Sequence, residues 1–294
     1  MGAAIGAGLS TAAYALGVEP GLRLRMTRYA LTPPNWPPGF HLRLGVVADL
    51  HAGEPHMGTD RVRRVVAAAN ALRPDVMLFL GDLNASHRFL SRRFWPGETA
   101  ALLADLRAPL GTYAILGNHD WWEDEAAQQA NRGPTEAHGA LERNGIPVLE
   151  NTGRRLVKDG RPFWLLGLGD QWAWWGGSVR RLHRGGVDDL PATLAVADDD
   201  APAILMAHEP DIFPQVPSRI AVTLAGHTHG GQGRLFGWAP FTASKFGNRY
   251  AYGHVVEGDR HLIVSGGLGC SVAPVRFGAP PEIVLVELGQ PGAG

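Results

Sequence analysis

Cysteine is nearly absent from this chain of 294 residues, and so is an excess of charge of either sign. The single cysteine, Cys270, excludes an internal disulfide, and a structural zinc site built from thiolates is not expected. A net charge of −1 excludes a global field that would favour nucleic acid or an anionic membrane. We therefore expect no nucleic-acid binding, and we interpret Cys270 as a small core residue.

Hydrophobic residues make up 45% of the chain, which is enough to bury a substantial core. The 39 glycines and 22 prolines indicate many loops and short elements. The length exceeds that of the usual single domain, yet α/β and sandwich enzymes of this size often form one. There is neither an internal repeat nor a low-complexity tract.

The N-terminal residues 3–18 are apolar and small, at the short end for a transmembrane helix of about 20 residues. They lack the basic region that opens a secretory signal. Two interpretations stay open, a helix packed on the domain or the remnant of a membrane anchor or export signal, and the compartment depends on which holds. Residues 33–38 predict an extended linker. We assign residues 1–40 to this segment and its linker and residues 41–290 to one domain, whose oligomeric state stays open.

Apolar runs alternate with helical patterns in the first half, and strand patterns dominate the second. This order predicts an α/β fold of two sheets packed face to face and flanked by helices. The predicted helices are Thr59–Leu72, Thr99–Leu106 and Thr135–Asn144. The predicted strands are His41–Ala48, Val76–Leu80, Thr112–Leu116, Phe163–Gly167, Ala203–Ala207, Ile220–Ala225, His261–Ser265 and Ile283–Leu288.

Polar residues follow five of these strands, where open α/β sheets place ligands. They are Asp49, His51, Asp82, Asn118, His119, Asp120, His208, His227 and His229. Asp49 and His51 are two apart, as are His227 and His229, so on an extended chain each pair points to one side. Carboxylates, imidazoles and an amide oxygen suit Mn²⁺, Fe²⁺, Zn²⁺ or Ni²⁺. Each motif alone is weak, but their joint occurrence after successive strands indicates a metal site.

The full set resembles the calcineurin-like metallophosphoesterase superfamily between Leu44 and Leu288. The resembling motifs are Asp49-x-His51, Gly81-Asp82, Gly117-Asn-His-Asp120, His208 and Gly226-His-Thr-His229. Residues 226–232, 246–250, 252–253, 266–269 and 280–283 are similar to the bacterial YkuE/YaeI-like branch. The resemblance implies a four-layer α/β/β/α sandwich of two mixed sheets flanked by helices.

It also implies a dinuclear site for two divalent metal ions. Asp49, His51 and His229 would bind the first ion, Asn118, His208 and His227 the second, and Asp82 both. A hydroxide bridging the metals would attack a phosphoester, and His119 would assist the leaving group. Asp120 would either orient His119 or serve the structure.

Substrate contacts are less clear from the sequence. His87, Trp174, Arg249 and Arg276 are candidates, and each has an ordinary structural alternative. Two interpretations stay open for a loop with three tryptophans followed by basic residues. It would bind a lipid tail and a phosphate, or its tryptophans would pack under a solvated basic turn. The residues are Trp172, Trp174, Trp175, Arg180, Arg181, His183 and Arg184. A generic phosphodiester therefore ranks first. A nucleotide-lipid of the UDP-2,3-diacylglucosamine type, with peripheral membrane contact, ranks second, and a non-catalytic binding module is the alternative of another class.

Overall fold

The computed structural model describes residues 2–178 and 181–289, with side chains from residue 8 onward except those of 181 and 182. Arg180 and the side chain of Arg181 therefore lie outside the described part of the chain. The strands are β1 Arg25–Leu31, β2 Leu42–Val47, β3 Gly53–Glu54, β4 Val76–Phe79, β5 Arg92–Arg93, β6 Thr112–Ala114, β7 Thr152–Lys158, β8 Arg161–Gly167, β9 Trp175–Ser178, β10 Arg181–His183, β11 Ala203–Met206, β12 Ile220–Ala225, β13 Gly253–Glu257, β14 Arg260–Val264 and β15 Glu282–Leu288. The α-helices are α1 Gly2–Ala13, α2 Glu19–Leu22, α3 Thr59–Ala71, α4 Pro96–Leu103, α5 Asn118–Trp122, α6 Glu125–Ala130, α7 Glu136–Arg143 and α8 Leu190–Ala195.

Two mixed sheets form the middle of the molecule. The first has the strand order β1-β15-β2-β4-β6, in which only the β15–β2 pair is antiparallel. The second has the order β13-β14-β12-β11-β8-β7, with antiparallel pairs at its two edges. Because the inner strands run parallel, their carboxyl ends meet along one edge of each sheet.

Alternation along the strands divides the apolar residues between the layers. In β4, Val76 and Leu78 face the core between the sheets, whereas Met77 and Phe79 face α3, α4 and α7. On the far side of the second sheet, Leu205 packs into a third cluster under α8 and the 3₁₀ turn Pro210–Gln215. The layers are helix, sheet, sheet and helix, so the predicted four-layer sandwich is confirmed.

The predicted elements are present, with shifted ends. The helix predicted at Thr99–Leu106 begins at Pro96, because proline fits the first helical position. Helix α3 begins at Thr59 as predicted, and Gly58 occupies the cap position before it. Thr135 caps α7 as its side chain accepts a hydrogen bond from His138 N.

The residues before the proline-rich linker belong to the first sheet. Strand β1 pairs in parallel with β15 along its whole length, so the sheet extends beyond the boundary predicted at residue 41. Further upstream, Glu19 is buried and accepts hydrogen bonds from Gly278 N and Ala279 N, and Arg276 N donates to Ala15 O. These contacts favour a helix packed on the domain. Among the residues described, no helix is long and apolar enough to cross a membrane.

Candidate metal centre and active site

The nine polar motif residues converge at the carboxyl ends of the inner strands. The spacing of Asp49 and His51 predicts an extended backbone, but the backbone at these residues is not extended. Asp49, His51, Asp82, His227 and His229 all have positive φ, between 41° and 68°. Residues with a Cβ rarely adopt this conformation, and it concentrates at functional sites. The side chains reach one side because the chain turns at each strand end.

One group of ligand atoms surrounds a point beside β2. Nε2 of His51 lies 3.1 Å from Nε2 of His229 and 3.3 Å from Oδ2 of Asp82. Nε2 of His229 is 3.7 Å from Oδ1 of Asp49. Metal–ligand bonds of about 2.0–2.2 Å place neighbouring donors at such separations, so this group fits one ion.

A second group lies on the other side of Asp82. Nε2 of His208 is 3.4 Å from Oδ2 of Asp82, and Nδ1 of His227 is 2.8 Å from Oδ1 of Asn118. His208 Nε2 is buried without a hydrogen-bond partner. Such an atom is costly to bury unless something binds it. Asp82 Oδ2 is nearly equidistant from a histidine of each group.

Two motif glycines are required by the crowding around these ligands. A Cβ on Gly226 would lie 2.6 Å from Oδ2 of Asp49. One on Gly117 would overlap both Asp82 and the ring of His208. Glycine therefore allows the loops to approach the carboxylates closely.

Burial and mutual charge set the protonation of the cluster. Burial raises the pKa of Asp49 to about 6. Burial also opposes the charge on Asp82, but the His208 and His119 rings outweigh it and hold the pKa of Asp82 well below its usual value. Burial, joined by neighbouring histidines, lowers the pKa of His227 and of His229 well below the usual range, so both are neutral donors at pH 7.

His119 lies beside the cluster but outside both groups. Ser86 Oγ is 3.1 Å from its Nδ1 and Ser271 Oγ is 3.1 Å from its Nε2. Burial lowers the pKa of His119 to about 4, although the Asp82 charge opposes this. With this pKa the ring is a neutral imidazole at pH 7, and it retains one N–H to donate.

Asp120 does not orient His119, which corrects one of the two roles predicted for it. Its Oδ2 accepts hydrogen bonds from Gly117 N and Asp82 N, and its Oδ1 accepts one from Leu83 N. Burial, with the neighbouring Asp82 charge, raises the pKa of Asp120 to about 6. Asp120 therefore ties the two loops that carry Asp82 and Asn118.

A cavity of 650 Å³ opens above the cluster. Its floor is polar, with Asp82, Asn118, His119, His227 and His229. Its walls are largely apolar. They include Trp122, Trp172, Trp175, Phe241 and Val272, with Ser86, His87, Glu123, Gln232 and Ser271 between them.

Of the four predicted substrate contacts, only His87 lines this cavity. Trp174 instead packs against Trp121, with ring centroids 5.2 Å apart. Arg249 is exposed and pairs with Glu257 at 2.6 Å. Arg276 is fully buried, donates to the carbonyls of Gly266, Gly269 and Ala279, and lies 3.0 Å from Nδ1 of His229.

Residues 171–175, which we call the tryptophan loop, are held from two sides by residues that the sequence did not single out. Gln128 donates to Ala173 O and accepts from Trp175 N. On the other side Gln171 donates to Glu209. Glu209 follows His208 directly and is buried beside Asp170, and burial raises the pKa of both carboxyl groups. Adjacency to His208 was the only available signal for Glu209, and nothing in the sequence pointed to Ser86 or Ser271.

Comparisons with known proteins agree with this geometry. The family model for calcineurin-like phosphoesterases matches residues 42–231. The chain is 28% identical to the uncharacterized metallophosphoesterase YkuE of Bacillus subtilis over 292 residues, covering 97% of this chain and 93% of YkuE. It is also 28% identical to phosphodiesterase YaeI of Escherichia coli over 253 residues, 82% of this chain and 80% of YaeI.

Other matches are more partial. A Caenorhabditis elegans protein named as a metallophosphoesterase is 28% identical over 258 residues, and the chain spans 49% of its length. A solved structure of a dimetal phosphatase from Danio rerio has 12% identity and a TM-score of 0.42, covering 77% of this chain and 88% of that one. The family match extends over more than half of the residues and includes all seven candidate metal ligands. The chain therefore belongs to the calcineurin-like phosphoesterase family.

Proposed function

We propose that this protein hydrolyses phosphodiester bonds with two divalent metal ions. The observation that carries the proposal is the position of Asp82, whose Oδ2 lies 3.3 Å and 3.4 Å from the Nε2 atoms of His51 and His208. One carboxylate between two groups of histidine, aspartate and asparagine donors is the arrangement that two adjacent ions need. Asp49, His51 and His229 would hold one ion, and Asn118, His208 and His227 the other.

Charge complementarity favours a phosphate substrate. Two divalent ions bring four positive charges, and Asp49 and Asp82 neutralise two of them. When bound, such ions act as Lewis acids on a phosphoryl oxygen and lower the pKa of a water molecule to near neutrality. The remaining positive charge matches a phosphodiester or a monoester, and a diester ranks first because relative YaeI bears the name phosphodiesterase.

His119 is placed to act on the leaving group. It belongs to the polar floor of the cavity and is held between Ser86 and Ser271. A neutral imidazole with one N–H can stabilise the charge that builds on the leaving oxygen through a hydrogen bond. The serine hydroxyls, which donate and accept, keep the ring in this place in either tautomer.

A non-catalytic binding module is the alternative of another class. Loss of ligands would support it, but the full set of seven candidate ligands and His119 is present around the cavity. Elemental analysis of the purified protein after dialysis against Mn²⁺ distinguishes the two. We expect two metal ions per chain and cleavage of bis(p-nitrophenyl) phosphate that disappears with EDTA and returns with Mn²⁺. Two bound metals without hydrolysis of any mono- or diester would favour the binding module.

A further inference from the structure

The exposed aromatic side chains among those described lie on three loops, each of which contributes residues to the lining of the cavity. Phe89 and Trp95 lie in residues 86–95, Trp175 lies in the tryptophan loop, and Phe236, Trp238 and Phe241 lie in residues 235–241. We call these loops, with Val272, the apolar rim. Large exposed apolar groups that cluster in this way mark an interaction surface.

The rim is continuous with the interior of the cavity. Phe241 and Val272 line the cavity and are nevertheless 82% and 83% exposed. Phe236 is fully exposed, and Trp238 lies beside it at the tip of a tight turn closed by hydrogen bonds between the backbones of Leu235 and Trp238. An apolar path therefore leads from the tip of this loop to the aromatic wall above the metal cluster.

The N-terminal helical segment adjoins the same loop. Tyr14 packs edge-on against Phe277, with ring centroids 6.2 Å apart, and the Phe277 backbone pairs with Gln232 and Arg234 at the base of the loop. Leu16 and Leu22 of this segment are exposed. They add exposed aliphatic surface to the segment that packs at the base of this loop.

Basic residues accompany the rim although the whole chain has a net charge of −1. Residues 86–95 contain three arginines and no acidic residue, and residues 233–250 contain Arg234, Lys245 and Arg249 and no acidic residue. In residues 8–31, Arg23, Arg25 and Arg28 stand against one acid, Glu19, whose buried carboxylate is bound to backbone N–H groups. Arg92, Arg93 and Arg249 are paired with the carboxylates of Glu98, Glu123 and Glu257. Among the described residues, the positive charge of these segments that no carboxylate pairs with comes from Arg23, Arg25, Arg28, Arg88, Arg234 and Lys245.

We propose that the apolar rim docks on an anionic lipid surface, so that an amphiphilic phosphoester enters the cavity with its apolar part along the aromatic wall. The reaction in this proposal rests on the proposed function. The docking rests on the apolar rim alone. Aromatic tips flanked by basic residues bind at the interface of anionic bilayers through apolar burial and electrostatic attraction. The same continuity explains why a phosphate-binding floor is covered by tryptophans rather than by polar groups.

Vesicle co-sedimentation of the full chain tests the docking without any substrate. Vesicles of phosphatidylcholine alone are compared with vesicles that also contain phosphatidylglycerol. The F236S/W238S double variant removes the tip without touching the cavity lining. Val157→Ser is the matched control, since Val157 is 49% exposed on β7 and pairs with Pro162 at the end of the second sheet remote from the metal cluster.

We expect the unaltered chain to bind the anionic vesicles, more weakly at high salt, and the double variant to bind at least about tenfold more weakly. The control should bind as the unaltered chain does. Absence of binding by the unaltered chain, or an equal loss in the control, would overturn the docking. So would a dimer in sedimentation equilibrium that the double variant dissociates, because the rim would then be covered by a second copy.

Hydrolysis of bis(p-nitrophenyl) phosphate separates this inference from the proposed function. The double variant should retain the rate of the unaltered chain on this small soluble diester and lose at least about tenfold on a vesicle-borne diester. An equal effect on the two substrates would reject the delivery of an amphiphilic substrate. Vesicle binding without hydrolysis of either would reject the reaction and leave the docking in place.

Discussion

Replacing His119 with alanine is expected to lower the turnover of bis(p-nitrophenyl) phosphate by about 10²–10⁴ while both metal ions remain bound. The ring stands outside both groups of ligand atoms, so its loss removes a hydrogen-bond donor and not a ligand. The leaving-group oxygen would then develop its charge without a hydrogen bond. Steady-state kinetics with elemental analysis of the same sample measures the two effects together.

Asp82→Ala is the comparison for this prediction. It removes the one carboxylate shared by the two groups, so metal content and turnover should fall together. Loss of the metals from the His119→Ala protein would show that His119 is a ligand. Full turnover by this protein would show that His119 takes no part in the reaction. A substrate with p-nitrophenolate as leaving group is less demanding than an alkyl ester, and the loss should be larger for the alkyl ester.

The metal cluster was predictable from the sequence because its donors follow apolar strands in a fixed order. Parallel inner strands bring Asp49, Asp82 and His208 to one edge, and the strand pattern alone indicates this. The predicted fold was confirmed for the same reason, since alternation of the kind seen in Val76–Phe79 divides each strand between two layers. The ligand roles stay a prediction until metals are measured.

Contacts that depend on the exact path of a loop were not predictable. Trp174 and Trp175 are adjacent and look equivalent in the sequence, yet only Trp175 faces the cavity. Arg276 carries a guanidinium group of the kind that often binds phosphate. In the structure this group donates instead to the carbonyls of Gly266, Gly269 and Ala279. Ser86 and Ser271 meet at His119 from positions 185 residues apart in the numbering of the chain, which no local pattern encodes.

The backbone conformation at the candidate ligands was also not predictable from the sequence. Spacing by two suggests an extended chain at Asp49 and His51, whereas both have positive φ. The strain of such residues must be offset by contacts elsewhere. Gly269 N donates to Asp49 O, and His227 N donates to Oδ1 of Asp49, which holds the first loop against the strain.

Asp120→Ala is expected to destabilise the fold by about 3–5 kcal/mol, because it leaves three buried N–H groups without an acceptor. These belong to Gly117, Asp82 and Leu83, so the loops of two metal-binding motifs would loosen together. Urea unfolding in the presence of EDTA measures the loss without a contribution from bound metal. The loss of stability in Asp120→Asn should lie between zero and that of Asp120→Ala, because the amide oxygen of asparagine still accepts a hydrogen bond whereas its NH₂ group does not.

Asp124→Ala is the matched control for Asp120→Ala. Asp124 caps α6 and also accepts from backbone N–H groups, those of Ala127 and Glu136, but it is partly exposed and water can replace its carboxylate. Its loss should cost only about 1 kcal/mol. Equal costs for the two variants would show that burial of the Asp120 bonds adds nothing. A full metal complement in a stable Asp120→Ala protein would show that the two loops hold their ligands independently.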